Sequence, residues 1–322
     1  MTAFQLTRRA VTALALAVPL CSFAQDGRTT EWVVGYAAGG GSDALARTIA
    51  EQMGRTLGRT IIINNKPGGA TNIAAEYVAK SKTPDHMLFT ADFATLAANP
   101  WLFSKLPFDP DKDFKSVGLL GRFPLVLVVG PQVPATNFKE FVAWAKASKT
   151  PVSFASSGIG SPQHLAGELF REKTGLNLQH VPYRGGALAV QDIMSGQVQM
   201  ALMDSASVVA HLQGGRLRAL GVASANRVKV LPDMPTLAEQ GLPDFEAFAW
   251  QGLVVPSGAS TEQVAALTKA LQGALASEPV KARMQALAIE AVPGTPEQMN
   301  AYVKAERARW GAVIKAANIK LD

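Results

Sequence analysis

Residues 32–43 read WVVGYAAGGGSD, an apolar run that ends in glycines and small polar residues before a segment with helical spacing. The same arrangement recurs at 61–72 (IIINNKPGGATN) and at 152–161 (VSFASSGIGS). A strand that leads into a helix through such a loop directs unpaired backbone N–H groups to one point, and the helix end adds partial positive charge. These loops predict a site for a small anion, which we interpret as a carboxylate.

The N-terminus has the pattern of a secretory signal peptide, which we assign to residues 1–24. Arg8 and Arg9 precede an apolar segment, 10–20, that is too short to span a bilayer, and SFA follows with the small residues that signal peptidase reads. We predict cleavage after Ala24 and export to the periplasm. The sequence leaves open whether the Sec or the twin-arginine route is used.

Composition narrows the class of protein. The chain has 322 residues, enough for about two domains. Its only cysteine, Cys21, lies in the predicted signal peptide, and the four histidines share no metal-ligand spacing, so we expect no disulfide, metal or cofactor. Cleavage would lower the net charge from +6 to +4, because the removed segment carries two arginines and no acid. That charge is scattered, so nucleic acid is not an expected partner. We expect a monomer.

Strand and helix patterns alternate along the chain, which predicts an α/β fold with a largely parallel sheet. Helical spacing is found at 44–57, 71–80, 137–147, 161–174, 185–195, 260–275, 278–288 and 296–315. Strand patterns are found at 125–130, 152–155, 178–182, 198–203 and 217–222.

Two apolar segments are interpreted as crossings between lobes. They are Leu125–Val129 and Leu220–Ala223. We therefore expect one lobe to comprise 125–225 and the other to comprise 25–124 together with 226–322. Two crossings with a cleft between the lobes form the hinge arrangement of a ligand trap.

Several short motifs follow one another over the predicted mature chain. They are YAAGGGSDALAR (36–47), NKPGG (65–69), PD (84–85), NP (99–100), LPFDP (106–110), SSGIGSPQHL (156–165), VPYRGG (181–186), MD (203–204) and PT (235–236). Together they resemble the periplasmic solute-binding receptors of tripartite tricarboxylate transporters, the Bug or TctC family. The resemblance implies a two-lobed, type II periplasmic-binding (Venus flytrap) fold that binds a small carboxylate in its cleft. It also implies delivery of that ligand to a two-subunit membrane transporter.

Some positions depart from the pattern of that family. Ala37 stands where proline is common, and Thr71 adds a β-branched hydroxyl beside the implied ligand position. Asp92 and Phe93 replace small polar residues in a loop that often lines the cleft. These departures leave the identity of the ligand open among aromatic acids, amino acids, dicarboxylates and tricarboxylates.

The candidate ligand-binding residues lie in four loops and at one strand end, and no catalytic residue is assigned. They are Tyr36, Gly39, Gly40, Gly41, Ser42 and Asp43 in the first loop, Asn65, Gly68, Gly69 and Thr71 in the second, Ser156, Gly160, Ser161 and His164 in the third, Tyr183, Arg184 and Gly185 in the fourth, and Asp204.

Four of these residues have a structural alternative. Asp43 is suited to capping its helix, and His164 is suited to a buried structural role. Arg184 would either pair with a second ligand carboxylate or lie at the surface. Asp204 would either accept a hydrogen bond from a ligand amine or fix its own loop.

Two other classes of function are kept open. An exported α/β hydrolase would use Ser42 or Ser161 as nucleophile and His164 as base, although the motifs assemble no complete set of nucleophile, base and orienting group. A binding subunit that serves a sensor would use the same pocket as a transport receptor. The sequence does not separate these two binding roles.

Overall fold

The computed structural model describes residues 29–39 and 41–321, so the predicted signal peptide, 1–24, lies outside the described residues. The strands are β1 (Thr30–Val34), β2 (Ile61–Asn65), β3 (Met87–Asp92), β4 (Phe114–Val129), β5 (Val152–Ser156), β6 (Leu178–Pro182), β7 (Met200–Asp204), β8 (Arg218–Val222) and β9 (Phe248–Pro256). The α-helices are α1 (Gly41–Leu57), α2 (Asn72–Ala79), α3 (Asn99–Leu102), α4 (Phe138–Ala147), α5 (Pro162–Thr174), α6 (Gly186–Met194), α7 (Ser205–Gln213), α8 (Thr261–Ala276), α9 (Glu278–Ala286) and α10 (Pro296–Ala316). Among the described residues, no helix has the length and apolar character needed to cross a bilayer.

The strands form one curled sheet in the order β2-β1-β3-β9-β4-β7-β5-β6, with β8 also paired to β4. Strand β1 pairs in parallel with β2 and β3, and β5 pairs in parallel with β6 and β7. Strands β4 and β9 run antiparallel to each of their neighbours. The sheet is therefore mixed instead of largely parallel, because the strands that link the two parallel units run against them.

Strand β4 is long enough to pair with strands in both halves of the sheet. Its first part pairs with β9, and the part that begins at Leu125 pairs with β7 and β8. The chain crosses back near the same point, where Ala223 N donates to Leu125 O (2.7 Å) and Ala247 N donates to Ala223 O (2.9 Å). Leu125 N in turn donates to Ala247 O (3.0 Å), which closes a ring of hydrogen bonds at the hinge.

The chain beyond the predicted lobe boundary at 225/226 still contacts β8. The segment 226–247 packs on β8, where Gln240 Nε2 donates to Leu220 O (2.7 Å). This segment has little regular structure, so no periodicity marked it in the sequence. We therefore propose a boundary at 247/248, so that lobe 1 denotes 29–124 with 248–321 and lobe 2 denotes 125–247.

Local sequence signals explain where several helices begin. The side chains of Asn137, Ser161 and Ser260 each accept a hydrogen bond from a backbone N–H in the first turn of α4, α5 and α8. Thr295 forms a capping box with Gln298 at the start of α10. Such side chains satisfy helix donors that otherwise have no partner, so each helix start is fixed locally.

An aromatic cluster fixes the register of the strands beside the cleft. Phe93 lies with its ring centroid 6.2 Å from that of Trp250 and 5.5 Å from that of Trp310, and all three side chains are buried. Both indole N–H groups donate to Glu306 Oε2, at 2.9 and 3.0 Å. This packing follows directly after β3 and lies within β9, so it holds the ends of these two antiparallel strands together.

Candidate ligand site between the lobes

The predicted loops lie at the carboxyl ends of parallel strands, where open α/β sheets bind ligands. The first loop joins β1 to α1, the third joins β5 to α5, and the fourth joins β6 to α6. Asn65 Nδ2 in the second loop donates to Tyr36 O in the first (3.0 Å). Gly185 N in the fourth loop donates to Ser157 O in the third (3.2 Å). The loops are thus brought together in two pairs, one on each lobe.

Asp43 holds the first loop against α1. Its Oδ2 accepts hydrogen bonds from Gly39 N (2.9 Å) and from Arg47 Nε (3.0 Å). Burial raises the pKa of Asp43, but these hydrogen bonds outweigh burial and leave the pKa below its usual value. Asp43, in the first turn of α1, therefore ties the preceding loop to the helix, which favours a structural role for it. Gly40, also predicted in this loop, lies outside the described residues.

The second loop has a left-handed backbone. The φ angles of Gly68 through Thr71 are +121°, +57°, +51° and +72°. For a β-branched residue such as Thr71 this conformation costs about 1–3 kcal/mol and persists only where neighbours fix it. Thr71 Oγ1 lies 2.7 Å from Thr95 Oγ1, and Thr95 Oγ1 in turn donates to Asp92 Oδ1 (2.9 Å). The strained loop is therefore tied to the end of β3.

Two stacked imidazoles support the third loop. The ring centroids of His164 and His180 are 3.7 Å apart, with an interplanar angle of 12°. His164 Nδ1 accepts from Gly160 N (3.0 Å), and Ser156 Oγ lies 2.6 Å from His180 Nε2. Burial lowers the pKa of His164 to about 3, with smaller contributions from the charges of His180 and Arg171, and burial lowers the pKa of His180 to about 4. These contacts favour the structural alternative for His164.

The fourth loop borders the cleft beside α7. A methyl group on Gly186 would lie 3.4 Å from the hydroxyl oxygens of Ser157 and Ser207. The Tyr183 hydroxyl turns away to donate to Asp192 Oδ2 (2.8 Å), and burial together with this contact raises the pKa of Tyr183 to about 12. The predicted residue Arg184 is exposed.

Three ionisable groups meet where the lobes face each other. The Tyr36 hydroxyl donates to Asp92 Oδ2. Burial, the adjacent Asp92 and the charge of Asp204 from the other lobe all raise the pKa of Tyr36. Burial also raises the pKa of Asp92 and of Asp204, against hydrogen bonds from Thr95 and Ser207 that favour the charged forms. Tyr36 and Asp204, both predicted, therefore share the cleft with Asp92.

Sequence reasoning missed two glutamines that border these acids. Gln163 Nε2 donates to Asp204 Oδ2 (3.1 Å), and Gln251 lies opposite Asp92 in the ladder between β3 and β9. The two glutamines are 5% and 6% exposed, and their Oε1 atoms have no hydrogen-bond partner among the described residues. Only their positions in the sequence could have identified them, because Gln163 follows the capping Ser161 by two residues and Gln251 is a polar residue in an apolar strand.

The starts of the two cleft helices also touch the opposite lobe. A methyl group on Gly41, the first residue of α1, would lie 3.4 Å from Ala206 Cβ in lobe 2. One on Gly160, just before α5, would lie 2.4 Å from Leu102 Cδ1 in lobe 1. A ligand held at these helix starts therefore lies between the lobes.

The arrangement expected of a hydrolase is not formed in the described part of the chain. Ser161 Oγ accepts from the backbone N of His164 (3.2 Å), and Nε2 of that histidine faces Glu168 Oε1 at 3.8 Å. Ser42 Oγ accepts from a glutamine side chain and not from an imidazole. Residues 29–39 and 41–321 also hold no group of three side chains able to ligate a metal ion.

Known proteins show the same sequence pattern and fold. The profile of the tripartite tricarboxylate transporter family receptors matches residues 45–319. BugT of Bordetella pertussis is 30% identical over 307 residues, which cover 95% of this chain and 94% of BugT. The structure of R. palustris Rpa4515 with adipate is 32% identical, with a TM-score of 0.85, and the match covers 91% of this chain and 98% of that one.

A second solved structure gives the same result. MatC from Rhodopseudomonas palustris with bound malate is 33% identical, with a TM-score of 0.80 and coverage of 89% of this chain and 99% of that one. The two-lobed periplasmic-binding fold implied by the motifs is therefore confirmed. The chain belongs to the family of tripartite tricarboxylate transporter receptors, which are periplasmic solute-binding proteins.

Proposed function

We propose that this protein is an exported receptor that captures a small carboxylate between its lobes and delivers it to a two-subunit membrane transporter. The proposal rests chiefly on two helix starts that each contact the opposite lobe. Gly41 begins α1 against lobe 2, and the loop before α5 abuts lobe 1 through Gly160. The start of α1 offers backbone N–H donors, and both helix starts carry partial positive charge, which favours an anion. Helix α5 contributes mainly this charge, because it begins with Pro162 and the N–H of His164 is bonded to Ser161 Oγ. Adipate and malate, the ligands of the two similar R. palustris proteins, are small carboxylates and support this class.

Closure follows from the position of these donors. Only a closed form allows the helix starts of both lobes to contact one ligand, so the ligand shifts the equilibrium toward that form. The hinge lies where Leu125, Ala223 and Ala247 exchange backbone hydrogen bonds. The chain passes between the lobes at this point, so small dihedral changes at these residues would rotate one lobe against the other.

Export is tested by the N-terminus of the protein recovered from the periplasm of its host. The mature chain should begin at Gln25, the residue after the predicted cleavage site. A periplasmic protein that starts elsewhere would refute the cleavage site, and a chain retained in the cytoplasm with Met1 intact would refute export.

Ligand class is tested by thermal unfolding of residues 25–322 with a panel of carboxylates and their amides. A ligand present at 100 times its Kd adds about 2.7 kcal/mol of stability, a shift of about 5 °C for a chain of this size. A shift with an acid and none with its amide supports a carboxylate receptor. Equal shifts with acid and amide would contradict the anion site.

A pair of variants tests the helix start of α1. Gly41→Asp should abolish carboxylate binding, because it places a negative charge where the ligand anion binds, whereas Gly41→Asn of the same size should retain more affinity. Neither variant should unfold the protein, since a methyl group on Gly41 meets its nearest neighbour only at 3.4 Å. Equal affinities of the Asp and Asn variants, measured by calorimetry, would refute this part of the site.

A further inference from the structure

The acidic residues of the cleft have hydrogen-bond donors but no cation. Asp92 is 3% exposed, and its oxygens accept from Thr95 N and Oγ1, both at 2.9 Å, and from the Tyr36 hydroxyl. Asp204 accepts from Ser207 N (3.0 Å). Among the described residues, neither carboxylate forms an ion pair with a lysine or arginine. Two carboxylates on opposite lobes therefore act on Tyr36, and neither is paired with a basic side chain in the described part of the chain.

Further acceptors lie beside each carboxylate. The amide nitrogen of Gln163 donates to Asp204, whose carboxylate can only accept a hydrogen bond. This contact fixes the orientation of the amide and leaves Oε1 without a partner among the described residues. Gln251 lies opposite Asp92 in the ladder between β3 and β9, and its side-chain amide donates to Ser42 Oγ in the first loop. Asp92 contacts the same loop through the Tyr36 hydroxyl. The Oε1 atom of Gln251 also has no partner in the described chain. Buried acceptors left unpaired in this way are costly unless a ligand or water satisfies them.

We infer that the ligand carries an ammonium group in addition to its carboxylate, and that Asp92 and Asp204 hold this ammonium between the lobes. The free amide oxygens of Gln163 and Gln251 are further acceptors for its N–H groups. The inference rests on the proposed function, because it names which class of carboxylate the cleft receives. An ammonium supplies three donors and one positive charge, which matches a set of acceptors that carries excess negative charge.

Other polar groups match this end of the cleft less well. A hydroxyl supplies one donor and no charge. A second carboxylate would bring a third negative charge next to the buried Asp92 and the partly buried Asp204, where water screens the repulsion poorly. The helix starts of α1 and α5 favour negative charge and the acids favour positive charge, so the cleft is the electrostatic complement of a zwitterion.

The test compares acids that share a skeleton and differ at one carbon. The mature protein is titrated calorimetrically with aspartate, malate and succinate, with glutamate, 2-hydroxyglutarate and glutarate, and with phenylalanine, 3-phenyllactate and 3-phenylpropanoate. In the triad that binds best, the amino member should bind about 10-fold or more tightly than the other two. This comparison uses the wild-type protein and does not depend on the folding of a variant.

Asp92→Asn tests the assigned residue. The preference for the amino member should fall by about 10-fold, while the unsubstituted acid keeps or gains affinity, because the variant loses one negative charge. Asp233→Asn makes the same change in net charge at an exposed position and should leave the preference unchanged. A folded Asp92→Asn protein that keeps the full preference would refute the role of Asp92.

The outcomes separate this inference from the proposed function. If an unsubstituted or hydroxy acid binds as tightly as its amino counterpart, the ammonium inference is refuted and the carboxylate receptor stands. If no acid of any triad binds, the proposed function is refuted and the inference falls with it.

Discussion

Acid should destabilise this protein through the stacked histidines, His164 and His180. Their pKa values in the folded protein are about 3 and about 4, whereas an unhindered histidine has a pKa of 6.5. Below pH 6.5 the unfolded chain therefore binds protons that the folded protein does not bind. The free energy of unfolding is at its full value above pH 6.5 and falls as the pH drops toward these two lower values.

The size of the effect follows from the linkage relation. Each pH unit over which only the unfolded chain binds one more proton lowers the free energy of unfolding by about 1.4 kcal/mol. Between about pH 6.5 and about pH 5 this amounts to about 2 kcal/mol for each histidine. Because His180 is partly exposed, we expect about 3–4 kcal/mol for the pair.

The variant His164→Asn/His180→Gln isolates this contribution. Asparagine places an acceptor near the position of Nδ1, and glutamine reaches the position of Nε2, so the contacts with Gly160 and Ser156 are preserved while the titration is removed. Urea unfolding followed by tryptophan fluorescence and circular dichroism at about pH 7 and about pH 5 gives the free energies, provided both probes report one transition. His86→Gln is the matched control outside the stack.

The expected result is a difference between two pH profiles. Wild type should lose about 3–4 kcal/mol more than the double variant between the two pH values, and His86→Gln should follow wild type. Asp92 and Asp204 have raised pKa values and act with the opposite sign, but they are present in both proteins and cancel in the comparison. Equal losses in wild type and double variant would refute the reasoning.

Two further substitutions test the third loop. Gly160→Ala should lower the free energy of unfolding by about 2–5 kcal/mol, because its Cβ would lie 2.4 Å from the buried Leu102 in a left-handed backbone (φ +78°). Gly175→Ala is the control, with φ +64° and no atom within 4 Å, and should lower it by only about 1–2 kcal/mol in urea unfolding. Equal costs would show that the contact with Leu102 gives way freely. Ser161→Ala and Ser260→Ala should each cost about 1 kcal/mol as lost helix caps. A loss of carboxylate affinity in Ser161→Ala alone would assign that hydroxyl to the ligand, and a loss in neither would limit it to capping.

Elements with local signals were predicted well from the sequence. Helix α5 was expected at 161–174 and is found at Pro162–Thr174, since a capping serine and a following proline specify its start. Strand β6 was expected at 178–182 and is found at Leu178–Pro182. These segments carry their own apolar pattern and end signals, so neighbouring residues are enough to identify them.

Elements defined by distant partners were missed or displaced. Strand β9 (Phe248–Pro256) was not predicted, and β4 was expected only over its last residues. The pairing of β4 with β9 extends both strands, and this pairing joins residues that are far apart in the sequence. The contacts of the segment 226–247 with β8 were not predicted for the same reason, because no local pattern marks them.

The candidate site shows the same division. Its loops were found because glycine and small polar residues between a strand and a helix are a local signal. Gln163 and Gln251 were not found, because their importance arises from neighbours across the fold: one lies against Asp204 and the other against Asp92. A buried polar atom without a partner exists only once the chain has folded around it.

The position of Asp92 and Asp204 on opposite lobes links the charge of the ligand to closure. Both carboxylates act on Tyr36, so closing the empty cleft brings two like charges toward one region of low dielectric. That repulsion opposes closure until a cation lies between the acids or one of them takes up a proton. A ligand with a carboxylate alone gains contacts at the helix starts but leaves the repulsion in place. A zwitterion gains both, so it stabilises the closed form more than a plain acid of equal size, and closure itself becomes selective.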